Sequence, residues 1–428
     1  MHYHIDRQEA FSLGSIEATD EGVVLAHLSV DTHTDNSVLE QALHYMYPDA
    51  LLSGAGSYSR EKFLHEVNML GASINTSISN GILQITLRST SVVFPKLLKL
   101  VEVMLTKPTF ATSELARIRT TTANELHIKQ ENSSALAHEA MRNAMYSTTD
   151  RRFSASPQVL TSTLQKVTQK DLQRFHESVL AASWTCSIAG TKENISDLSK
   201  LVRKLKKGEA TLITSAHKQK ATTNKVLLTN IPSRSNIDFS IGVPIPITIH
   251  HPDYLPLMFG LGVLSIPGFA GRLMNTVRDK EGLTYGIYGY LESFSGTEQG
   301  YARIVTFFNP PQTIQGITST FREIKKIYES GITAAEFDRF QTIFTTKQSL
   351  LQDSLLRQLA DLHSYNVHGF TVDEIAAHKA KLANITRKEV NDAIKKYLDP
   401  TRFIISGAGP TKASEKDLRK FVSTLTKG

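Results

Sequence analysis

The chain has 428 residues, of which 40% are hydrophobic and 21% are charged, and its net charge is +7 at neutral pH. These values are typical of a soluble globular protein, and the length favours two domains over one. No stretch of about 18 apolar residues occurs, so a membrane-spanning helix is not predicted. The basic residues are scattered, and the densest run, 203–207, has no aromatic residues within it, so nucleic acid is not an expected partner.

Cysteine content and the first residues bear on the compartment. Cys186 is the one cysteine, which excludes an internal disulfide, and its place in an apolar strand predicts a buried core residue. The segment 1–7 has no apolar region, so we expect no signal peptide. The compartment stays open: cytoplasmic, or periplasmic if a signal peptide was removed before the first residue given.

Strands followed by long helices are predicted in both halves of the chain. In the first half, residues 82–87 alternate like a half-buried strand, apolar residues recur at helical spacing over 94–105, and capping residues at 112–114 begin another helix. In the second half, 301–308 reads as a strand and 314–327 as a helix. This order predicts an α+β sandwich.

Similar segments recur at an interval of about 220 residues, which indicates an internal duplication. The matching pairs are 110–115 with 332–337, 167–172 with 385–390, and 185–190 with 403–409. We therefore predict two homologous α+β domains, each a mainly antiparallel sheet covered by helices. The predicted boundaries are 1–207 for the first half, 208–224 for a polar linker, and 225–428 for the second half.

The most informative segment is 271–286, which reads GRLMNTVRDKEGLTYG. Leu273 and Val277 lie four residues apart on one helical face, and Gly282 is placed to end the helix in a left-handed turn. Arg278 then lies in the last helical turn, and Tyr285 begins the next strand. The tight turn between them can bring both side chains to one edge.

This segment resembles the second-half signature of the pitrilysin/insulinase family of zinc peptidases, S-R-L-x-x-x-L-R-x-x-x-G-L-x-Y. The resemblance covers nearly the whole chain, because 54–75 also matches the family's run after the metal-binding helix. It implies that Arg278 and Tyr285 bind substrate opposite a zinc ion. Arginine can place two donors on a peptide carbonyl or carboxylate, and tyrosine can donate to a developing oxyanion.

The family's metal motif, H-x-x-E-H on a helix, is degenerate here. Counting back from Gly54 places it on residues 45–49, where Tyr45 and Asp49 replace the two histidines and Pro48 replaces the general base. A proline inside a helix costs about 3 kcal/mol, so we expect the helix to be interrupted. The third ligand position falls on Glu125, a relic or a surface residue, since one carboxylate does not make a zinc site.

Three functions follow from this pattern. The first is a non-catalytic, substrate-binding subunit that forms a heterodimer with an H-x-x-E-H-containing peptidase subunit; the partner holds the zinc, this chain holds no cofactor, and a peptide binds between them. The second is a purely structural scaffold subunit. The third is an autonomous metallopeptidase with a rebuilt site, for which Glu40 with His44, or His138 with Glu139, are the available pairs. We expect the chain alone not to be an enzyme.

Overall fold

The structure is a computed structural model that describes residues 3–8, 11–18, 22–205, 225–266, 271–351 and 354–425. The predicted linker 208–224 lies outside these residues, so the predicted domain boundaries stay a prediction. Among the helices in the described ranges, none is both long enough and apolar enough to cross a membrane.

The first sheet has six strands in the order β1-β2-β8-β3-β7-β6, and all neighbours are antiparallel except β2 with β8. These strands are β1 (His4–Arg7), β2 (Phe11–Glu17), β3 (Val23–Asp31), β6 (Ser73–Ser79), β7 (Ile82–Thr90) and β8 (Trp184–Gly190). A two-stranded ribbon, β4 (Gly54–Ala55) with β5 (Tyr58–Ser59), lies between the first two helices.

Helices cover the inner face of this sheet and close its apolar core. Alternate residues of β3 and β7, among them Leu28 and Ile85, face that core and are fully buried. The helices of the first half are α1 (Val38–Leu51), α2 (Arg60–Met69), α3 (Phe94–Thr106), α4 (Thr112–Glu131), α5 (Ser133–Met145), α6 (Pro157–Leu164), α7 (Gln169–Ala181) and α8 (Lys192–Leu205).

The second sheet has five strands in the order β11-β12-β10-β13-β9, with one parallel pair, β13 with β9. The strands are β9 (Lys225–Asn230), β10 (Ile237–Pro244), β11 (Ile287–Glu292), β12 (Tyr301–Phe308) and β13 (Ile404–Gly409). The α-helices are α9 (Tyr254–Ser265), α10 (Thr313–Ser330), α11 (Ala334–Leu351), α12 (Leu355–Val367), α13 (Val372–Ala383), α14 (Arg387–Tyr397) and α15 (Glu415–Leu425). Met274–Lys280 forms a π-helical turn, and three short 3₁₀-helices are Pro310–Gln312, Pro400–Arg402 and Thr411–Ala413.

The two sheets share one topology, which supports the predicted duplication. In each, the strand of the repeated segment, β8 or β13, has a parallel neighbour on one side and an antiparallel neighbour on the other. The helices that precede these strands begin with the same device: Thr168 and Thr386 each close a capping box with an acidic residue three positions on. The prediction of a helix-covered, mainly antiparallel α+β fold is confirmed.

The two compact units are not continuous in sequence. The first contains residues 1–127, 155–214 and 349–376, so α12 from the second half packs on β2, β8 and β3. The second contains 128–154, 215–348 and 377–428, so α5 from the first half packs on β10, β13 and β9. Each sheet is therefore covered on its outer face by a helix encoded in the other half.

Candidate functional site

Helix α1 is continuous through the degenerate metal motif, so the predicted interruption is wrong. The helix runs Val38–Leu51 with Pro48 inside it, and the Ser37 hydroxyl caps its first turn by accepting from the Glu40 amide. The last residue, Leu51, is fully buried in the first core. The Thr76 hydroxyl also donates to the Pro48 carbonyl, 2.8 Å away. Tertiary packing therefore offsets the local cost of the proline.

An ion pair engages Asp49, one of the positions that the sequence motif assigns to a metal ligand. The guanidinium of Arg117, on α4, donates to both carboxylate oxygens of Asp49 at 2.9 and 3.1 Å. These bonds raise the pKa of the Arg117 side chain. Tyr45 is half-buried and packs against the first core. A cation beside Asp49 disfavours a divalent metal there. The sequence alone does not predict this contact, because nothing local links residues 49 and 117.

The remaining candidate ligands do not assemble into a metal site. Glu125 is exposed on α4. Glu40 accepts hydrogen bonds from His33 and from the backbone amides of Thr34 and Asp35. These hydrogen bonds hold the loop before α1 in place. They occupy the Glu40 carboxylate, which is therefore not available as a metal ligand. In the described part of the chain, no group of three or more His, Cys, Asp and Glu side chains could hold a metal ion.

The second candidate metal-binding pair, His138 with Glu139, and the cysteine, Cys186, also make contacts typical of residues that support the fold. His138 lies 2.8 Å from the Tyr301 hydroxyl, whereas Glu139 pairs with Lys129 at 2.7 Å, so the two adjacent side chains face different groups. Cys186 is fully buried, as predicted, and burial raises the pKa of its thiol. A thiol in that state is not a nucleophile.

Arg278 and Tyr285 do lie together. The Arg278 guanidinium carbon is 5.4 Å from the centre of the Tyr285 ring, within the range of a cation–π contact. The Tyr285 side chain is 77% exposed. Arg278 also donates to Asp279 at 2.8 Å, so its position is fixed from two sides.

Local packing explains how the turn presents this pair. Leu273 and Val277 are fully buried and anchor the Met274–Lys280 turn in the second core. Gly282 has φ of +63°, the left-handed conformation predicted for it, and it reverses the chain. The strand starts at Ile287 rather than at the predicted Tyr285, which instead lies on the bend before β11. That displacement leaves the Tyr285 ring in solvent.

A half-buried ion pair, Arg272 with Glu336, supports the same segment. Arg272, at the start of the motif, donates to both oxygens of Glu336 on α11 at 2.6 and 2.7 Å. Burial alone would raise the pKa of Glu336, but the bonds from Arg272 and from Thr333 outweigh burial and lower this pKa to about 2. The pair ties the motif to helix α11.

The family model of the "Peptidase M16 inactive domain" matches residues 166–344. A relative from Helicobacter pylori, the "Non-peptidase homolog YmxG", is 21% identical over 361 residues, which are 83% of this chain and 81% of the relative.

Solved structures agree in fold along nearly the whole chain. A peptidase M16 inactive domain from Pseudomonas fluorescens superposes with a TM-score of 0.84 at 20% identity, covering 96% of this chain and 99% of the other. A protease from Helicobacter pylori superposes with a TM-score of 0.81 at 14% identity, covering 95% and 99%. These structures show the fold, and the family model and the relative from Helicobacter pylori confirm the resemblance predicted from the two sequence motifs.

Proposed function

We propose that this chain is a non-catalytic member of the M16 peptidase family and that it is the substrate-binding subunit of a heterodimeric zinc peptidase. In this proposal a partner subunit with an intact H-x-x-E-H motif supplies the zinc ion and the general base. This chain supplies Arg278 and Tyr285. The observation that carries the proposal is their juxtaposition on an exposed turn, in a chain whose own metal positions are Tyr45, Pro48 and Asp49.

The chemistry of the pair suits a peptide in the act of hydrolysis. A guanidinium can donate two parallel hydrogen bonds to a peptide carbonyl or carboxylate. A phenol can donate to the oxyanion that forms on the attacked carbonyl, and such a donor is worth several kcal/mol in a water-excluded site. Tyr285 is free to reach a bound peptide because its ring is exposed, and Arg278 beside it keeps the two donors together.

The sheet next to the pair offers a way to hold an extended peptide. Strand β11 is an edge strand, and it begins two residues after Tyr285. An edge strand has unpaired backbone groups, and a peptide can add to them as a further strand. Backbone hydrogen bonds would then give affinity without demanding one particular sequence, as an enzyme for unfolded polypeptides requires.

The test is a mixing experiment with the H-x-x-E-H subunit and an unfolded peptide substrate. We expect turnover only with both chains present. Arg278→Ala and Tyr285→Phe should each lower kcat/KM by at least tenfold without preventing the two chains from associating. Arg322→Ala is a matched control, because Arg322 pairs with Glu281 near the motif and is about half exposed.

The alternatives give different results in the same experiment. A scaffold subunit would associate with a partner, but both motif variants would turn over peptide at the wild-type rate. An autonomous metallopeptidase would cut peptide without a partner and would lose activity with a chelator. Either outcome would overturn the proposed role of Arg278 and Tyr285.

A further inference from the structure

The internal duplication allows the two units to be compared position by position. In the first unit, Ser79 of β6 pairs with Ile82 at the start of β7; in the second, Glu292 of β11 pairs with Tyr301 at the start of β12. Two residues earlier on the edge strands, Ser77 pairs with Gln84 and Tyr290 pairs with Arg303. Gln84 of β7 therefore corresponds to Arg303 of β12.

Helices α12 and α5, which each cover the sheet of the other half, also contact matching positions of the two sheets. His363 of α12 bonds to Ser29 of β3 at 2.8 Å. In the second unit Met141 of α5 packs on Gly242 of β10, so closely that a Cβ there would lie 2.5 Å from the Met141 sulfur. Ser29 and Gly242 pair with Gln84 and Arg303 respectively.

In the second unit the outer face of the sheet is filled by an ionic cluster. The Glu292 carboxylate accepts from Arg303 at 2.6 Å and from the Tyr301 hydroxyl at 2.8 Å, and His138 lies 3.2 Å away. Burial would raise the pKa of Glu292, but its bonds to His138 and Arg303 lower the pKa to about 2. A carboxylate held by cationic and hydroxyl groups therefore completes this face.

In the first unit the corresponding region is a cavity of about 280 Å³. Its walls carry Ser77 and Ser79 where the other unit has Tyr290 and Glu292. On the helix side, Ser364 contributes a third hydroxyl. The cavity thus follows from a replacement of large side chains by small ones at matched positions.

The polar part of the lining suits a ligand that accepts hydrogen bonds. Ser29 and Gln84 add further hydrogen-bonding groups to the three serines already named. Of the described residues that line the cavity, none is Asp, Glu, Lys or Arg. A bound anion would therefore not be repelled by a carboxylate on the cavity wall. It would also not compete with an existing ion pair, because none of these described lining residues is Lys or Arg.

Two stacked histidine side chains line the cavity. The His27 and His363 rings lie 5.2 Å apart, and both residues line the cavity. His27 Nδ1 contacts the Thr86 hydroxyl at 3.1 Å, whereas in the described part of the chain its buried Nε2 has no hydrogen-bond partner. A ligand that accepts a hydrogen bond from His27 Nε2 would satisfy this buried group.

We propose that this cavity, formed by β3, β6, β7 and α12, binds a small oxyanion, a carboxylate or a phosphate, in the position that Glu292 fills in the other unit. Its volume suits a ligand of a few heavy atoms rather than a nucleotide or a folded partner. The site does not depend on the peptidase partner, so it can be tested on the isolated chain.

The experiment follows the imidazole signals of the full chain in two-bond ¹H–¹⁵N spectra, assigned with His27→Gln and His363→Gln. Succinate and inorganic phosphate are titrated separately against sodium chloride of equal ionic strength, which shows which oxyanion is preferred. We expect saturable shifts of the His27 and His363 signals, with Kd on the order of 1 mM or tighter for one of the two anions.

Two variants make the assignment specific. Ser79→Glu copies the carboxylate of the other unit and should abolish the shifts, whereas Ser73→Glu adds the same charge to the same strand away from the cavity and should preserve them. Ser364→Ala removes one hydroxyl and should weaken binding about fivefold.

The proposal is overturned if neither anion shifts the histidine signals, or if Ser79→Glu responds like wild type. It is also overturned if uncharged succinamide produces the same saturable shifts, because the site would then recognise a neutral polar ligand.

Discussion

Arg117 and Asp49 form a two-bond ion pair at the position where a metal-binding helix would carry its second histidine. Both side chains are about one-third exposed, at 34% and 37%. Solvent screens a pair of this kind, so its contribution to stability is modest, about 0.5–1 kcal/mol. Its larger effect is chemical, because it places a positive charge beside a side chain that the motif assigns to a metal ligand.

The first prediction concerns that pair. Arg117→Ala and Asp49→Asn should each lower the free energy of unfolding by about 0.5–1 kcal/mol, and the double variant should lose less than the sum. Urea unfolding of the four proteins at low salt and at 1 M salt measures this coupling. A coupling that is unchanged at 1 M salt would contradict a screened surface ion pair.

The second prediction concerns Pro48. Pro48→Ala should stabilise the chain by about 1 kcal/mol or more, because alanine restores a helical amide and has the highest helix propensity. The hydrogen bond from Thr76 to the carbonyl of residue 48 is retained in the variant. Thermal and urea unfolding provide the measurement, with Ala50→Gly as a control of opposite sign. A destabilised Pro48→Ala variant would show that the proline ring itself is needed for packing.

The third prediction concerns metal. The purified chain should contain far less than one zinc ion per molecule, and a chelator should leave its Tm unchanged. Elemental analysis and thermal unfolding with and without chelator measure this. A stoichiometric zinc content that is lost in Glu125→Gln would establish a metal site that the described residues do not assemble.

The fourth prediction concerns pH. Since the folded pKa of Glu336 is about 2 and its ordinary value is 4.5, its pairing with Arg272 stabilises the fold above pH 4.5. This stabilisation is lost as the pH falls from 4.5 towards 2. Glu336→Gln should therefore cost on the order of 2–3 kcal/mol at pH 7 and progressively less towards pH 2. Urea unfolding at several pH values tests the trend, and a cost that does not depend on pH would contradict it.

Local sequence patterns predicted the elements well, for physical reasons. Residues 301–308 alternate between core and outer face, and the strand has the predicted bounds. The helix predicted over 314–327 is observed as Thr313–Ser330, because its apolar residues recur once per turn and its amphipathic face is buried. The left-handed Gly282 was equally predictable, since its turn permits little else.

Long-range relationships could not be predicted in this way. Propensity alone makes Pro48 a helix breaker, yet buried neighbours keep α1 intact. The contact of Arg117 with Asp49 joins residues far apart in sequence, as does the stacking of His27 on His363. The repeat spacing of about 220 residues does not predict the cavity either, because Ser77 and Ser79 correspond to Tyr290 and Glu292 through the strand pairing of the two sheets, at a shorter interval along the chain.

The exchange of α5 and α12 bears on how the chain reaches its native state. The Asn366 side chain of α12 donates to the Cys186 carbonyl in the first sheet, and His363 lies between the hydroxyls of Ser29 and Ser187. These buried polar groups of β3 and β8 find their partners only after residue 354 has been synthesised. A ribosome-bound first half therefore holds all six strands of its sheet but lacks the helix that covers the outer face, and neither half of the gene encodes a self-sufficient folding unit.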